Sequence, residues 1–183
     1  MIVILHNYFA QHPSRIVGII AMKHAAAAST SGTAHQVSDT TLRGFVGYHM
    51  KRAFNAVQAD LSRTLAPFEL RMLTYTALVL IVDNPGLRQS QLADAMDMER
   101  PNLVVLLDEL EARALITRDR VPTDRRAYAL HATLAGTQLC KQAVGAVTAH
   151  EKRLLAGIDD DTRAALIATL RQIETGHAKE ESA

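Results

Sequence analysis

Apolar residues recur at intervals of three and four positions from about residue 40 to residue 64, which predicts an amphipathic helix. The next segment, FELRMLTYTALVLIV at 68–82, is apolar on nearly every face, and Pro67 before it suits a first helical position. We therefore expect a second, buried helix over this segment. Turn-forming residues at 83–86 end it.

Two shorter helical patterns follow in quick succession. The segment 89–96 carries Leu92 and Met96 on one face, and Pro101 opens a longer apolar stripe that runs through 102–115. Only three or four residues separate the two patterns, a spacing typical of a helix-turn-helix. Many helical cores contain such a pair, so this arrangement alone does not identify a function.

The pattern then changes from helical to alternating. Residues 116–121 alternate between two faces, a short run of turn formers follows, and alternation resumes to about residue 131. A β-hairpin directly after the second helix of a helix-turn-helix is a wing. Asp124, Arg125 and Arg126 fall at the end of its loop, where a winged module meets the DNA backbone and minor groove.

Two more helices complete the expected fold. Thr133 can cap a long helix that runs to about Gly157, and the aspartates at 159–161 precede another helix, where they favour the positive end of its dipole. A long apolar helix pair at the end of a small domain needs a partner, and a twofold dimer supplies one. The expected fold class is mainly α, with a winged helix-turn-helix DNA-binding lobe plus a helical dimerisation region.

Composition sets further limits. The chain has 183 residues, of which 48% are hydrophobic and 4% aromatic, and this favours a helical domain with one core. A single cysteine, Cys140, excludes a disulfide framework and a multi-cysteine zinc site and favours the reducing cytoplasm. The segment 15–29 faintly resembles a secretory signal, but Lys23 and His24 interrupt its apolar run. We expect a cytoplasmic protein with no membrane partner, metal or cofactor.

The segment LADAMDMERPNLVVLLDELEARALITRDRVPTDRRAYALHATLAG at 92–136 resembles the MarR family of winged helix-turn-helix transcriptional regulators. The matching residues are spread through its helices and its wing: Leu92-Ala93, Leu103, Leu106, Asp108-Glu109-Leu110-Glu111, Leu115, Asp124-Arg125-Arg126, Thr133 and Gly136. The order of the surrounding helices also fits, so the resemblance covers about 40–176. Any one of these pieces is common, whereas the combination is specific.

The resemblance divides the chain into three parts. We expect a disordered N-terminal extension over 1–38, which ends in a small, polar run typical of a linker, a MarR-type domain over 39–176 and a tail over 177–183. Two alternatives for the extension stay open. It could reflect a start codon placed too early, with Met22 as the true start, or it could help the protein to dimerise.

The resemblance also implies a homodimer, joined through its first and last helices, that binds a palindromic operator in double-stranded DNA. Arg100 and Asn102 fall on the family's base-reading positions at the start of the recognition helix, although Asn102 could instead cap that helix. In the wing, Asp124 is expected to orient Arg126, which enters the minor groove. Phosphate contacts are assigned to three further arginines, Arg118, Arg120 and Arg125.

Some positions depart from the family pattern. Ala114 replaces the usual helix-ending glycine, which predicts a turn without its left-handed residue, and Arg88 stands at the usual cap of the first short helix. Glu99 stands where a small hydroxyl residue is common, Val105 where a polar or basic one is, and Ala132 where an aliphatic one is. These departures do not affect the expected fold, but they leave the base preference unpredicted.

Net charge does not argue for DNA by itself. The formal charge is +1 for the whole chain, and seven arginines against eight acidic residues give −1 over 86–131. However, five of the seven arginines lie at the start of the recognition helix or in the wing, and arginine pairs well with phosphate and with guanine. Their distribution therefore predicts DNA contact.

The family's effector pocket lies between the dimer helices and the winged lobe. The candidate ligand-binding residues are His49 and Arg52 on the first helix and Arg71 and Tyr75 on the second. They suggest an aromatic or carboxylate-bearing effector, and the sequence resembles the branch that answers to phenolic acids or their CoA esters. In the alternative interpretation, Tyr75 is a core aromatic residue and the two arginines are surface or salt-bridged residues.

The expected function is a sequence-specific DNA-binding transcriptional repressor that a small ligand releases. The alternative is a helical dimeric ligand- or protein-binding module that has lost DNA recognition, which Glu99 and Val105 keep open. An enzyme is not expected, because the sequence shows no paired carboxylates, activated nucleophile, phosphate loop or metal-ligand cluster. Cys140 is an oxidation sensor or, as its surroundings favour, an inert small hydrophobe. The operator, the effector and the choice between repression and activation stay open.

Overall fold

The computed structural model describes residues 37–121 and 124–180, without the side chains of 121–127 and 177–180. Nearly all of the extension expected over 1–38 lies outside the described residues, as does the end of the expected tail at 181–183.

Helices dominate the described part of the chain, and they surround one small sheet. The helices are α1 (Val46–Leu65), α2 (Met72–Asp83), α3 (Gln89–Ala95), α4 (Arg100–Ala112), α5 (Leu134–Leu154) and α6 (Asp160–Glu180), and the strands are β1 (Leu87–Arg88), β2 (Ile116–Val121) and β3 (Asp124–Ala132). Here α3 and α4 form the helix-turn-helix, and β2 and β3 form the wing. The predicted fold class is thereby confirmed. Helix α6 continues to Glu180, four residues into the expected tail.

The sheet is antiparallel, with the strand order β1-β3-β2. The wing strands pair in regular register from Ile116 opposite Ala132 to Arg120 opposite Tyr128, and the register shifts beyond Arg120. Strand β1 pairs with the other edge of β3 and so connects the start of α3 to the base of the wing. We did not predict β1, because two residues are too short for an alternating pattern to show.

One core joins the lobe to the long helices. It is built from buried side chains of α2, α4, the wing base and α5, namely Ala77, Leu78, Ile81, Leu103, Leu107, Leu110, Ile116, Leu130, Cys140 and Ala143. The expectation that the second helix is buried is confirmed. Among the described residues no single helix is long and apolar enough to cross a bilayer; Val46–Phe68 and Met72–Asp83 meet that test only as a pair, bent by 67°.

Three helical segments end in the same way, each with a non-glycine residue in the left-handed region. The φ angles are 53° at Glu69, 47° at Asp97 and 54° at Ala114. The N–H of each of these residues donates to the carbonyl three positions back, and the N–H of the next residue donates to the carbonyl five positions back. This is the Schellman pattern, and it turns the following residue, Leu70, Met98 or Leu115, back towards the core.

These turns correct two of the expectations from the sequence. The second helix does not begin at Pro67: a 3-10 turn at Ala66–Phe68 ends in the left-handed Glu69, and α2 starts only at Met72. The turn before the wing does not lack a left-handed residue, because Ala114 itself adopts that conformation. In both places a following leucine has to reach the core. The turn that brings Leu70 there delays the start of α2, and the turn that brings Leu115 there ends α4 earlier than its apolar pattern suggests.

Helix α4, the wing and α5 meet at the backbone carbonyl of Leu115. Thr133 caps α5 as expected, since its hydroxyl oxygen accepts the N–H of Gly136 at 3.0 Å. The Thr133 hydroxyl also donates to the Ala114 carbonyl at 2.8 Å, and the Thr133 N–H donates to the Leu115 carbonyl at 3.0 Å. A Cβ atom on Gly136 would lie 1.9 Å from that carbonyl oxygen, so the approach requires glycine.

A buried histidine joins α1 to α5. His150 is 2% exposed, and its Nδ1 lies 2.7 Å from Oδ2 of Asp60, while Arg63 donates to the other carboxylate oxygen at 2.6 Å. The hydrogen bonds from Arg63 and then His150 hold the pKa of Asp60 below its usual range. This contact fixes the two long helices to each other within one protomer.

Apolar side chains on the long helices α1 and α6 are exposed in the single chain. Helix α6 begins at a capping aspartate, Asp159, whose Oδ1 accepts the Thr162 N–H at 2.7 Å; this bond holds the pKa of Asp159 below its usual range. The exposed apolar residues on these helices and just before them include Phe45, Val46, Phe54, Val57, Leu166, Ile167, Leu170 and Ile173. Apolar area of this kind is characteristic of an interface.

We expect Gly136→Ala to lower the free energy of unfolding by about 2 kcal/mol or more, because the new methyl group overlaps a backbone carbonyl that cannot move alone. Gly145→Ala is the matched control, since no described atom beyond its two neighbours and the nearby backbone of α5 lies within 4 Å of that added Cβ. It should stabilise α5 by roughly 0.5–1 kcal/mol. Urea unfolding at one protein concentration measures both, and equal effects of the two changes would contradict the constraint.

Candidate nucleic-acid interface

The N-terminal end of α4 projects from the lobe. Arg100 and Asn102 are exposed in its first turn, while the neighbouring Leu103 is buried in the core. Glu99 occupies the N-cap position, and its carbonyl accepts the Asn102 N–H at 3.1 Å. The Asn102 side chain makes no hydrogen bond with a described residue, so it does not cap the helix and its amide is available to a partner.

Arg118 holds the wing against α4. Its side chain is 15% exposed, its Nε donates to Oε2 of Glu111 at 2.9 Å, and its terminal nitrogen pairs with the carboxylate of Asp108. Burial by itself lowers the pKa of Arg118, but the two carboxylates outweigh this effect and raise the pKa above its usual range. This geometry favours a positioning role. The phosphate contact assigned to Arg118 stays a prediction.

Arg120 lies on the same face of β2 as Arg118, two residues nearer the tip of the wing. Its side chain is exposed and makes no ion pair with a side chain that the structure describes. It can therefore reach a phosphate without breaking an ion pair to any side chain that the structure describes. Asp124, Arg125 and Arg126 begin β3, but their side chains lie outside the described residues, so their assigned roles stay predictions.

Two arginines pair with the three acidic residues in the C-terminal half of α4. Asp108 and Glu111 pair with Arg118, and Glu109 pairs with Arg71 at the start of α2. The charge of −1 counted over 86–131 includes these three acids but leaves Arg71 outside the count. The electrostatic field that a DNA backbone meets near the start of α4 is thus less acidic than that count suggests.

His49 and Arg52, two of the four candidate ligand residues, lie near the N-terminal end of α1. Arg52 Nη1 donates to the Tyr48 hydroxyl at 3.3 Å, and that hydroxyl donates to Asp39 Oδ2 at 2.6 Å. His49 Nε2 donates to the Arg43 carbonyl at 2.9 Å. A cation, an imidazole and a phenol therefore lie together on this helix end.

Arg71 and Tyr75, the other two candidates, lie elsewhere. The Arg71 side chain is 73% exposed and pairs with Glu109, which matches the alternative interpretation of a salt-bridged surface residue. Tyr75 packs half-buried against the core, and burial, followed by the nearby Cys140, raises the pKa of its hydroxyl. The Tyr75 N–H donates to the Arg71 carbonyl at 2.8 Å, as part of the helix, but no side-chain hydrogen bond or ion pair among the described residues joins any two of the four candidates. Their ligand roles stay predictions.

Cys140 is buried in the core, and burial followed by the charge of Asp83 raises the pKa of its thiol. A thiol held in its neutral form is a poor nucleophile towards oxidants. The site therefore fits the interpretation of Cys140 as a small hydrophobic residue.

Two contacts escaped the sequence analysis. One is the pair of ionic contacts from Arg118 to Asp108 and Glu111. These two acids lie three residues apart on one face of α4, and that spacing was the signal in the sequence for a shared basic partner. The other is the pair of His150 and Asp60, which lie 90 positions apart in the chain; a lone histidine in an apolar pattern gave no signal of its partner.

Comparisons with known proteins agree with this geometry. A sequence profile of the MarR family matches residues 70–127. The "Putative transcriptional regulatory protein for hcr operon" of Thauera aromatica is 36% identical over 152 residues, which cover 82% of this chain and 91% of the relative. A structure of the transcriptional repressor CouR bound to a 23-mer DNA duplex is 35% identical with a TM-score of 0.73, covering 76% of this chain and 99% of that one. CouR from Rhodococcus jostii RHA1 bound to p-coumaroyl-CoA is 30% identical with a TM-score of 0.66, covering 72% and 93%.

We expect Arg118→Gln to lower the free energy of unfolding by about 1 kcal/mol, because it separates the wing from α4 while both carboxylates remain partly in solvent. Amide hydrogen exchange in β2 and β3 should also become faster. Arg120→Gln, on the same strand, is the control and should change the free energy of unfolding by less than about 0.5 kcal/mol. Equal exchange rates in the two variants would show that Arg118 does not brace the wing.

Proposed function

This chain belongs to the MarR family of transcriptional regulators, and we propose that it is a repressor that binds operator DNA as a homodimer and leaves it when an aromatic acyl-CoA thioester or the related acid binds. The proposal rests on which side chains of α4 are exposed and which are paired within the protein. Its N-terminal turn presents Arg100 and Asn102 to solvent, while the three acidic residues of its C-terminal half are paired with two arginines. CouR, which has a similar fold and is 35% identical to this chain, is bound to a 23-mer DNA duplex in its solved structure.

The base contacts are proposed for Arg100 and Asn102, because the first turn of a recognition helix projects into the major groove. An arginine can bind guanine and an asparagine can bind adenine, each through two hydrogen bonds. Arg120 and Arg125 would hold phosphates, and Asp124 would orient Arg126 towards the minor groove. Arg118 would keep the wing at the distance from α4 that both grooves require.

The dimer is supported by the uncovered apolar side chains of α1 and α6. Phe54 and Val57 on α1 and Ile167 and Leu170 on α6 are at least 36% exposed in the single chain. A twofold axis would cover both helices and set two copies of α4 about one helical turn of DNA apart. A palindromic operator follows from that symmetry, and the cytoplasm is where such a regulator would meet the DNA.

The effector class is supported by CouR, which is bound to p-coumaroyl-CoA, and by the polar groups on α1 and α2. Arg52 and His49 could bind phosphate or carboxylate groups. The half-buried hydroxyl of Tyr75 makes no hydrogen bond with a described residue and could meet a phenol. Arg71 would have to leave Glu109 to join them. We propose that the ligand is bound and not converted.

The DNA proposal is tested by fluorescence anisotropy with the duplex that flanks the protein's own gene, against a random competitor, over a salt series. We expect competitor-resistant binding whose affinity falls steeply with salt. Arg120→Gln should reduce the salt slope by about two, one phosphate for each protomer, whereas Arg153→Gln on α5 should leave it unchanged. Equal affinity for operator and competitor at low salt would favour the alternative, a module that has lost DNA recognition.

The effector proposal is tested on the same complex. We expect p-coumaroyl-CoA to release the duplex, free coenzyme A to have no effect, and Arg52→Gln to raise the concentration needed for release by about tenfold, the loss of one charge-assisted contact. Lys152→Gln, a charge change on α5, is the control. A duplex that p-coumaroyl-CoA leaves bound would contradict the effector class but not DNA binding.

A further inference from the structure

Two valines occupy the outer face of α4. Val105 is 68% exposed and Val104 is 41% exposed, whereas Leu103, Leu106 and Leu107 beside them are buried. Valine is a weaker helix former than the polar residues usual on a helix surface, because its branched side chain loses rotamer freedom. Neither valine contributes a core contact that would explain its presence.

Val105 lies at the centre of the solvent-facing stripe. Pro101, four residues before it, and Asp108, three residues after it, share this face of the helix, and both are exposed. At the N-terminal end, Asn102 lies beside Val105, and Arg100 lies beyond Val104 on the other side of the stripe. A helix rises about 1.5 Å per residue, so Val105 follows these two side chains by roughly 5–8 Å along the axis. A base edge next to those that Arg100 and Asn102 reach would face Val105.

The apolar character of this stripe matches one group in the DNA major groove. Pro101, Val104 and Val105 present hydrocarbon without a donor or an acceptor, and Asp108, the next polar group, is engaged by Arg118. Among the groups that base pairs present in the major groove, the C5-methyl of thymine is the apolar one. Arg100 at the same helix end supplies the charge that favours the duplex over an apolar protein partner.

We propose that Val105 is a specificity-determining residue that contacts the C5-methyl of one thymine in each half of the operator. The inference rests on the proposed function and deepens it: Arg100 and Asn102 read hydrogen-bonding groups, and Val105 reads a methyl group. A polar residue at this position would select a different base.

The experiment uses the full-length protein and a duplex selected by it from a random-sequence pool. Each thymine is replaced in turn by deoxyuridine, symmetrically in both halves, which removes only the methyl group. At one position the wild-type protein should bind about fourfold more weakly for each half-site, the effect of one lost methyl contact. Val105→Ala should bind the parent duplex more weakly and lose nothing further when that same thymine is replaced.

Val104→Ala is the matched control, because it removes the same atoms from the neighbouring position. It should keep the full sensitivity to deoxyuridine. Val105→Ala should leave the salt slope unchanged, since no phosphate contact is lost. Its thermal unfolding temperature should equal or slightly exceed that of the wild type, because the side chain lies outside the core and alanine is the better helix former. These two readouts separate a base contact from a general loss of folding or of charge.

Two results would overturn the inference and leave DNA recognition standing. One is a selected duplex in which no thymine replacement alters wild-type affinity. The other is a Val105→Ala protein that responds to every replacement as the wild type does. If the selection recovers no duplex at all, the proposed function fails and this inference fails with it.

Discussion

The carbonyl of Leu115 fixes three elements at one point. It accepts the N–H of Thr133, it lies against the Cα of Gly136, and it follows directly on the left-handed Ala114 that ends α4. Strand β2 begins at the next residue, so the base of the wing is fixed there as well. Because no side chain fits between α5 and this carbonyl, a rotation of α5 has to carry the end of α4 and the wing with it. That contact therefore couples movement of α5 to movement of α4 and the wing.

Arginines serve two purposes in this lobe. Arg118, Arg71 and Arg113 bind partners within the protein: Arg118 and Arg71 pair with acids on α4, and Arg113 donates to the Phe68 and Glu69 carbonyls at 3.0 and 2.6 Å. Arg100 and Arg120 have no ion pair among the described residues and remain for an external anion. This division leaves exposed arginines at the start of α4 and on the wing of a chain whose formal charge is only +1. Both sets of contacts involve groups partly in solvent, so salt weakens them together.

The sequence predicted what local periodicity controls and missed what tertiary contacts control. The helix-turn-helix, the wing and the Thr133 cap follow from spacing and side-chain type within a few residues. The start of α2 does not, because it depends on where Leu70 enters the core. The brace from Arg118 to α4 escaped for the same reason, since it joins side chains seven and ten positions apart on different elements. The sequence correctly placed Arg100 and Asn102 at an exposed helix start. It grouped the four candidate ligand residues into one pocket, but spacing alone could not show that His49 and Arg52 lie at one end of α1 while Arg71 and Tyr75 lie elsewhere.

The left-handed residues at the three Schellman turns are positions where a substitution can change the stability of the fold. An ordinary L-residue in this conformation costs roughly 1 kcal/mol relative to glycine, somewhat less for aspartate. Glu69, Asp97 and Ala114 are all exposed, so exchanges at these positions alter stability without disturbing the core. A lineage adapting to warmer surroundings could therefore raise the stability of the fold one turn at a time. The residues on the helix faces that meet DNA could change independently as operators change.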